Sequence, residues 1–517
     1  MPARFVSVDR DTPMLLPPDL REWVPEDDLV HFVIEAVDRL PLESFRVNHR
    51  GTGAKQFPPH MMLALLIYSY ANGLFSSRKI ERATHRDVAI RYLTAGTHPD
   101  HDTICKFRRE NLEAFRESFV DVLELARELK LLKLGNVSLD GTHLKANASI
   151  DQNVSYQRAV EIRDQLRLDI DDLLAQAETA DADEQDGQKL PEEIARREKL
   201  ASKMERAIEE LESRASQRQQ EANAKYEAKK AERREKEKKT GKKCTGREPR
   251  QPKKKAEDSK EQCNLSDPDA RIMRKNKRAS FTQSYNAQAA VDADGSQLVV
   301  GQHVSQSASD YAELENGVAS IPSLLGKPEA VLADAGYVNA DAFDRLEQEG
   351  VEIYCSVHRE DAHNERRYDY RPVKESDRPV KEPVDERLVA MREKLRTEEG
   401  KALYGRRNYT VEPVFGIIKA AMGFRGFSLR GKEKVSGEWT LVCLAYNLKR
   451  LHGMAGCAKI GVGRPKSRSI DPNVGPNEKR TLPVRISLRS IIISVFSRFH
   501  RLITESTVKL VLTPTRS

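Results

Sequence analysis

The sequence predicts a mixed α/β core that is preceded by an all-helical region and interrupted by a long helical insertion. Residues 28–131 carry apolar side chains at helical spacing. Residues 155–262 are charged, helix-forming and poor in aromatic residues, which is typical of a long solvated helical segment. The remaining residues up to about 451 alternate short apolar runs with amphipathic stretches, the order that produces an α/β sheet.

The N-terminal region, residues 1–131, is predicted to be a bundle of four or five helices. The apolar periodicity gives helices at 28–40, 58–74, 76–93, 98–111 and from there to 131. Prolines begin the second helix, and Asn72-Gly73 is a typical stop signal. The third helix carries several basic residues, of which Arg78 and Lys79 are candidates for phosphate contacts. An ordinary solvated helix face explains them equally well.

The core is predicted to be split, with residues 132–154 on one side of the insertion and 265–455 on the other. Residues 137–148 read as a strand, and residues 279–306 read as a hairpin around the Asp294-Gly295 turn. A hairpin-joined part and a parallel part together predict a mixed sheet. The later elements are predicted as follows: a helix at 310–325, a strand at 330–334, a helix at 339–349, a strand at 351–357, and helices at 410–424 and 436–451.

The charge of this 517-residue chain is concentrated in one stretch. The net charge is +7, whereas residues 225–255 alone hold fifteen Lys or Arg against five Glu. This block lies in the insertion, predicted at 155–264, and its end is predicted to be disordered. Binding to a polyanion and a solvated linker are both consistent with such a block. The tail, 456–517, is rich in Pro and Arg and is predicted to be poorly ordered.

Cysteine spacing and hydropathy indicate a cytoplasmic location. The six cysteines have no short paired spacing, so neither a zinc site nor a disulfide framework is expected. The N-terminus lacks the apolar run of a signal peptide, and no 18-residue apolar stretch predicts a membrane span.

Two aspartates follow apolar, strand-like runs. Asp140 comes after the run at 137–139, and Asp334 comes after the run at 330–333. A single aspartate in such a place commonly caps a turn. Two of them in one α/β sheet would meet near the strand ends, and a cation is the usual way to stabilise such a pair. Structural aspartates and a sugar- or phosphate-binding domain are the competing interpretations.

A third carboxylate would complete a site for a hard divalent ion, Mg²⁺ or Mn²⁺. Glu412 is the best candidate, and Lys419 lies seven residues later on the same predicted helix face. Three carboxylates that hold two metal ions can activate a water or hydroxyl and stabilise the leaving oxygen. That is the chemistry of phosphodiester cleavage and strand transfer.

Several motifs occur in the order found in one known family. The sequence resembles the DDE transposases of bacterial insertion sequences, particularly the subgroup with an InsH-like helical N-terminal domain. The resemblance covers most of 28–146 and 265–451. It is carried by PPHMMLALLIYSYANGLFSSRKIERA, HPDHDTICKFR, SLDGTHLKANAS, DPDARIM, YNAQAAVD, LADAGY and YGRRNYTVEPVFGIIKAAMGFRGFSLRG.

The resemblance implies that the N-terminal region binds DNA ends and that the catalytic domain is RNase H-like, with Asp140, Asp334 and Glu412 as its catalytic, metal-binding triad. It implies that Tyr404, Arg407 and Lys419 contact DNA. One residue more than the family spacing separates Arg407 from Glu412, so Arg406 is a candidate to share the role of Arg407. The basic stretch after the catalytic helix adds Arg425 and Arg430 as DNA contacts, with a plain loop as the alternative.

The family resemblance further implies hydrolysis at the ends of the element and transfer of the freed 3′-hydroxyls into target DNA. The implied partners are double-stranded DNA, comprising the terminal repeats and the target, and a second copy of the chain in the DNA complex. The sequence leaves two alternatives open. One is a metal-dependent nuclease on the same fold without strand transfer, and the other is a catalytically dead DNA-binding relic.

Overall fold

A computed structural model of the chain describes residues 19–41, 43–47, 55–182, 190–240, 261–274, 279–357, 383 and 385–460. The predicted tail beyond 460 and most of the predicted disordered segment at 240–262 lie outside these ranges. No helix in them combines the length and the apolar character that a membrane span requires.

The described part of the N-terminal region holds six α-helices, where the apolar periodicity predicted a bundle of four or five. The predicted single helix at 76–93 is wrong, because the structure divides it at Asp87. This residue has an extended backbone, and its carboxylate accepts a hydrogen bond from the amide of Ile90 at 3.0 Å, which begins a new helix. The helices are α1 (Leu29–Val37), α2 (Pro59–Ala71), α3 (Ser77–Arg86), α4 (Val88–Leu93), α5 (His101–Glu110) and α6 (Leu112–Glu128).

The central sheet is mixed, which confirms the predicted α/β core. Its strands are β1 (Asn136–Lys145), β4 (Arg271–Met273), β5 (Thr282–Asp292), β6 (Val299–Ser305), β7 (Ala330–Ala333) and β8 (Glu352–Cys355). The order is β4-β5-β1-β7-β8, with β6 also paired to β5. β5 runs antiparallel to β1, β4 and β6, whereas β7 runs parallel to both β1 and β8.

The insertion lies between β1 and β5 and has its own small core. Two strands, β2 (Asn153–Ser155) and β3 (Gln262–Asn264), pair where the chain leaves and re-enters the main domain. Two long helices, α7 (Tyr156–Ala182) and α8 (Leu190–Thr240), extend from them, as the helical prediction expected. The buried side chains of this core include Leu166, Met204 and Leu211 of the helices and Cys263 of β3.

The elements after the hairpin are shorter than predicted, apart from the last helix. The predicted helix at 310–325 is α9 (Glu313–Ala319) and a separate 3-10 turn at Ser323–Leu325, because Pro322 precedes that turn and lacks a backbone N–H. The remaining helices are α10 (Ala340–Gln348), α11 (Glu386–Arg396), α12 (Glu398–Gly405), α13 (Val411–Gly416) and α14 (Lys432–Ile460).

The last helix, α14, joins the N-terminal helices to the sheet. It packs on α2 and α6 on one side and on β6 on the other. Trp439 of this helix is fully buried, and its indole Nε1 donates to the carbonyl oxygen of Gln288 at 3.0 Å. One continuous hydrophobic core therefore runs from Val24 to Leu451, through the helical region and the sheet.

Candidate active site

The first aspartate lies in the middle of a strand, within the strand predicted at 137–148. Asp140 is the fifth of the ten residues of β1. The three residues before it, Val137–Leu139, are buried, and Asp140 itself is half-buried. Pairing with β5 continues through Lys145, because β5 is long enough to cover both halves of β1. The backbone amide of Gly141 donates to Asp140 Oδ1 at 2.8 Å.

The second aspartate follows the adjacent strand. Asp334 comes directly after β7, and its Oδ1 accepts a hydrogen bond from the Gly336 amide at 2.8 Å. β1 and β7 are parallel, with Ser138 opposite Leu332. Asp140 and Asp334 each come two residues later. The sheet therefore places them at the same level in two neighbouring segments of the same chain.

Electrostatics also indicate that the two carboxylates are close. Burial and the charge of Asp334 raise the pKa of Asp140 to about 7. The Gly141 amide and the Arg407 guanidinium oppose this rise, and Asp310 adds to it. A divalent cation would relieve the repulsion between the two carboxylates, so the chemistry of this pair fits such an ion.

Arg407 is the basic residue that faces this pair. It is 7% exposed and lies in the 3-10 turn Arg406–Tyr409, immediately before α13. The Arg406 side chain instead forms an ion pair with Asp294, on the hairpin turn, at 2.8 Å. The spacing from Arg407 to Glu412 is one residue longer than in the family, yet Arg407 still faces the two aspartates. Arg406 does not share the position of Arg407.

Glu412 stands apart from the two aspartates. Its side chain is 56% exposed in the first turn of α13, and its Oε1 lies 3.9 Å from Nη2 of Arg407. Across the described ranges, no three His, Cys, Asp or Glu side chains are grouped closely enough to hold one metal ion. The structure brings together the two aspartates and Arg407, whereas Glu412 reaches the site only through Arg407.

A polar network beside Asp140 was not predicted from the sequence. Asp310 Oδ1 accepts hydrogen bonds from Asn286 Nδ2 at 2.8 Å and from Gln288 Nε2 at 2.6 Å. The amide oxygen of Gln288 accepts from the Tyr337 hydroxyl. The sequence did carry one signal: Asn286 and Gln288 are two apart, hence on one face of the same strand.

A basic cleft of about 330 Å³ opens beside the second half of β1. Lys419 lines it, and the ammonium group of Lys419 also contacts the hydroxyl of Thr142, two residues after Asp140. The π-helical turn Ile417–Ala421 interrupts the predicted α-helix between Glu412 and Lys419. The other lining residues are His143, Leu144, Lys145, Ala279, Ser280, Thr282, Ser284 and Arg425.

Two family models match the chain. The model for the Transposase DDE domain matches residues 249–448, and the model for the Transposase domain (DUF772) matches residues 18–110. The chain belongs to the DDE transposase family. No curated protein and no solved structure matches it. Asp334 and Glu412 lie in the matched DDE span, and Asp140 precedes it because the insertion separates β1 from the rest of the sheet.

Membership in this family assigns the transposase a general role in transposition. DDE transposases act on DNA and generally use divalent metal ions. The role of each individual site residue stays a prediction, as do the predicted domain boundaries.

The remaining predicted DNA contacts occupy different places. Tyr404 packs beside Leu332 at the sheet, and the guanidinium of Arg407 lies 5.9 Å from its ring centre. Arg430 donates from Nε to the carbonyl oxygen of Asn147 at 2.8 Å. Arg78 and Lys79 are exposed on α3, in the N-terminal helices.

Proposed function

We propose that this transposase cleaves DNA at the ends of its insertion sequence and joins the freed ends to target DNA. One observation carries the proposal: Asp140 on β1 and Asp334 directly after the parallel strand β7 lie at the same level of the sheet, next to a basic cleft. Family membership supports DNA as the substrate. Two ends must be held together for joining, so the active species is a homodimer on DNA. Its place in the cell is the cytoplasm, with the chromosome.

Asp140 and Asp334 are the residues that would hold the divalent ions, Mg²⁺ or Mn²⁺, and Glu412 is proposed as the third carboxylate. Two bound ions would supply activation of the attacking oxygen and charge stabilisation of the leaving oxygen. The carboxylates accept this role because they are rigidly placed: Asp140 is held by a strand paired on both sides, and Asp334 is fixed by the Gly336 amide.

The first step is hydrolysis. A water oxygen forms a bond to the phosphorus, the bond to the 3′ oxygen breaks, and the 3′ oxygen takes up a proton to become a hydroxyl. In the second step the oxygen of that hydroxyl forms a bond to a phosphorus of target DNA and gives up its proton. The bond from that phosphorus to its own 3′ oxygen breaks, and the leaving 3′ oxygen takes up a proton. No covalent enzyme intermediate is required, so the site needs no serine or tyrosine nucleophile.

Basic residues position the phosphates. Arg407 is buried beside Asp140 and is placed to neutralise charge on the reacting phosphate. Lys419 and Arg425 would bind the neighbouring backbone phosphates in the basic cleft. Tyr404, Arg406, Arg430, Arg78 and Lys79 are proposed as further contacts along the DNA.

The test is cleavage of labelled DNA that carries the element's own ends, with Mg²⁺ and with EDTA. Asp140→Asn, Asp334→Asn and Glu412→Gln are compared with wild type, after each variant is checked for folding and DNA binding. Asp341→Asn is the matched control, because Asp341 is an exposed carboxylate paired with Arg387. We expect metal-dependent 3′-hydroxyl formation that is lost in the three site variants and kept in the control.

Joined products distinguish a transposase from a nuclease without strand transfer. Cleavage without joining would favour the nuclease. A folded, DNA-binding wild type that cleaves nothing would indicate a catalytically dead relic. Cleavage that survives in Glu412→Gln alone would remove Glu412 from the triad and leave the two aspartates in place.

A further inference from the structure

Asp310 is an acidic residue close to the proposed metal-binding pair, in the loop between β6 and α9. One of its oxygens is fixed: Oδ1 accepts two amide hydrogen bonds, from Asn286 at 2.8 Å and from Gln288 at 2.6 Å. Both donors are buried on β5, the strand paired with β1. The carboxylate is therefore held in one orientation against the centre of the sheet.

Two glycines show where this carboxylate lies. A Cβ atom on Gly141 would be 2.6 Å from Asp310 Oδ1, so Asp310 approaches the residue next to Asp140. A Cβ atom on Gly336 would be 2.9 Å from Asp334 Oδ1 and 3.5 Å from Asp310 Oδ2. The second oxygen of Asp310 thus faces the same point as the carboxylate of Asp334.

Asn286 supplies an independent sign of a missing ligand. This residue is fully buried, and its Oδ1 accepts no hydrogen bond from the part of the chain that the structure describes. That oxygen is aimed at the same place, because it would be 2.9 Å from a Cβ atom on Gly141. A buried carbonyl oxygen without a donor is costly, and a water molecule in a cation's hydration shell would satisfy it.

We propose that Asp310 is a fourth acidic residue of this site, which strengthens binding of the divalent cation beside Asp140 and Asp334. This inference rests on the proposed function, since it assigns a further residue to the same metal site. Asn286 and Gln288 are positioning residues: their amide groups hold Asp310 Oδ1 and leave Oδ2 directed toward Asp334. A fixed carboxylate attracts the cation without any loss of side-chain freedom on binding.

The test is calorimetric titration of the full-length protein with Mn²⁺ alone, at constant ionic strength. Asp310→Asn is the central variant, because an asparagine keeps an oxygen for the two amide donors while it removes the charge. Asp341→Asn removes one charge from an exposed site and is the matched control. Asp310→Ser repeats the measurement with a smaller uncharged side chain in case Asp310→Asn does not fold.

We expect Asp310→Asn to weaken Mn²⁺ binding by at least about tenfold, as the loss of one nearby charge implies, with no change in Asp341→Asn. Unchanged Mn²⁺ affinity in a folded Asp310→Asn protein, while wild type still cleaves DNA, would overturn this inference alone. A wild type that neither binds Mn²⁺ nor cleaves DNA would overturn the proposed function together with it. Equal weakening in both variants would show a general charge effect and would also overturn the inference.

Discussion

Replacing Gly141 by alanine should disrupt the polar network next to Asp140. The added Cβ atom would lie 2.2 Å from Gln288 Nε2 and 2.6 Å from Asp310 Oδ1. Neither atom can retreat easily, because Gln288 is 3% exposed and is held by Tyr337 on its other side. The substitution must therefore displace the Gln288 side chain from Asp310, from Tyr337 or from both.

The expected cost follows from those two hydrogen bonds. A buried polar group that loses its partner costs about 1–3 kcal/mol, and hydrogen bonds to a charged group lie at the upper end. Displacement of Gln288 from Asp310 and Tyr337 together should cost about 3 kcal/mol. For a chain of 517 residues that corresponds to a fall in melting temperature of roughly 3 °C, because the unfolding entropy grows by about 2 cal/mol/K per residue.

The assay is thermal unfolding followed by circular dichroism, with Gly453→Ala as the matched control. Gly453 is exposed inside α14, and a Cβ atom there would meet nothing within 4 Å. Its replacement should be neutral or stabilise the protein by up to about 1 kcal/mol, since alanine favours helix. If Gly141→Ala melts within about 1 °C of wild type, the close packing described around Gly141 is wrong.

Three further predictions concern charged groups. Burial and two neighbouring glutamates raise the pKa of Asp121 to about 6. Its ionised form therefore destabilises the fold increasingly as pH rises from about 4 to 6. Asp121→Asn should stabilise the protein by about 1 kcal/mol at pH 8, after allowance for solvent screening, and melting curves at pH 4 should show no gain. Arg407→Gln should slow DNA cleavage by about 100-fold. Arg406→Gln should slow it by less than about fivefold, because the Arg406 side chain pairs with Asp294. Equal effects would contradict the different positions of the two arginines. Lys419→Ala should weaken DNA binding and reduce the slope of log affinity against log salt by about one, and an unchanged slope in filter-binding measurements would show that this lysine contacts no phosphate.

The sequence was most informative where one face of an element is buried. Apolar periodicity gave the helical N-terminal region, the Asp294-Gly295 hairpin and the order of strands that makes the sheet mixed. It also identified Asp140 and Asp334, because each follows an apolar run. The strand predicted at 137–148 runs past Asp140, but its partner β5 lies beyond the insertion, so their pairing is seen only in the structure.

Other parts of the site depend on contacts that are distant in sequence. Asp310 looks like a residue before a helix, and only the return of the chain from β6 places it against Asn286 and Gln288. Glu412 was placed by its spacing to Lys419 on an ideal helix, but the π-helical turn changes that relation. Arg406 and Arg407 are adjacent in sequence, and their separate partners could not be distinguished without the sheet.

The position of the insertion has a consequence for the order of folding. β1 and β5 form the central antiparallel pair of the sheet, yet α7, α8 and their two short strands are synthesised between them. Contacts between such distant segments form slowly when the intervening chain is unstructured, because loop closure costs entropy. Here β2 pairs with β3 at the two ends of the insertion, which has a core of its own. If the insertion folds first, it brings the end of β1 close to the start of β5. The insertion would then reduce the entropy cost of pairing these two strands during synthesis.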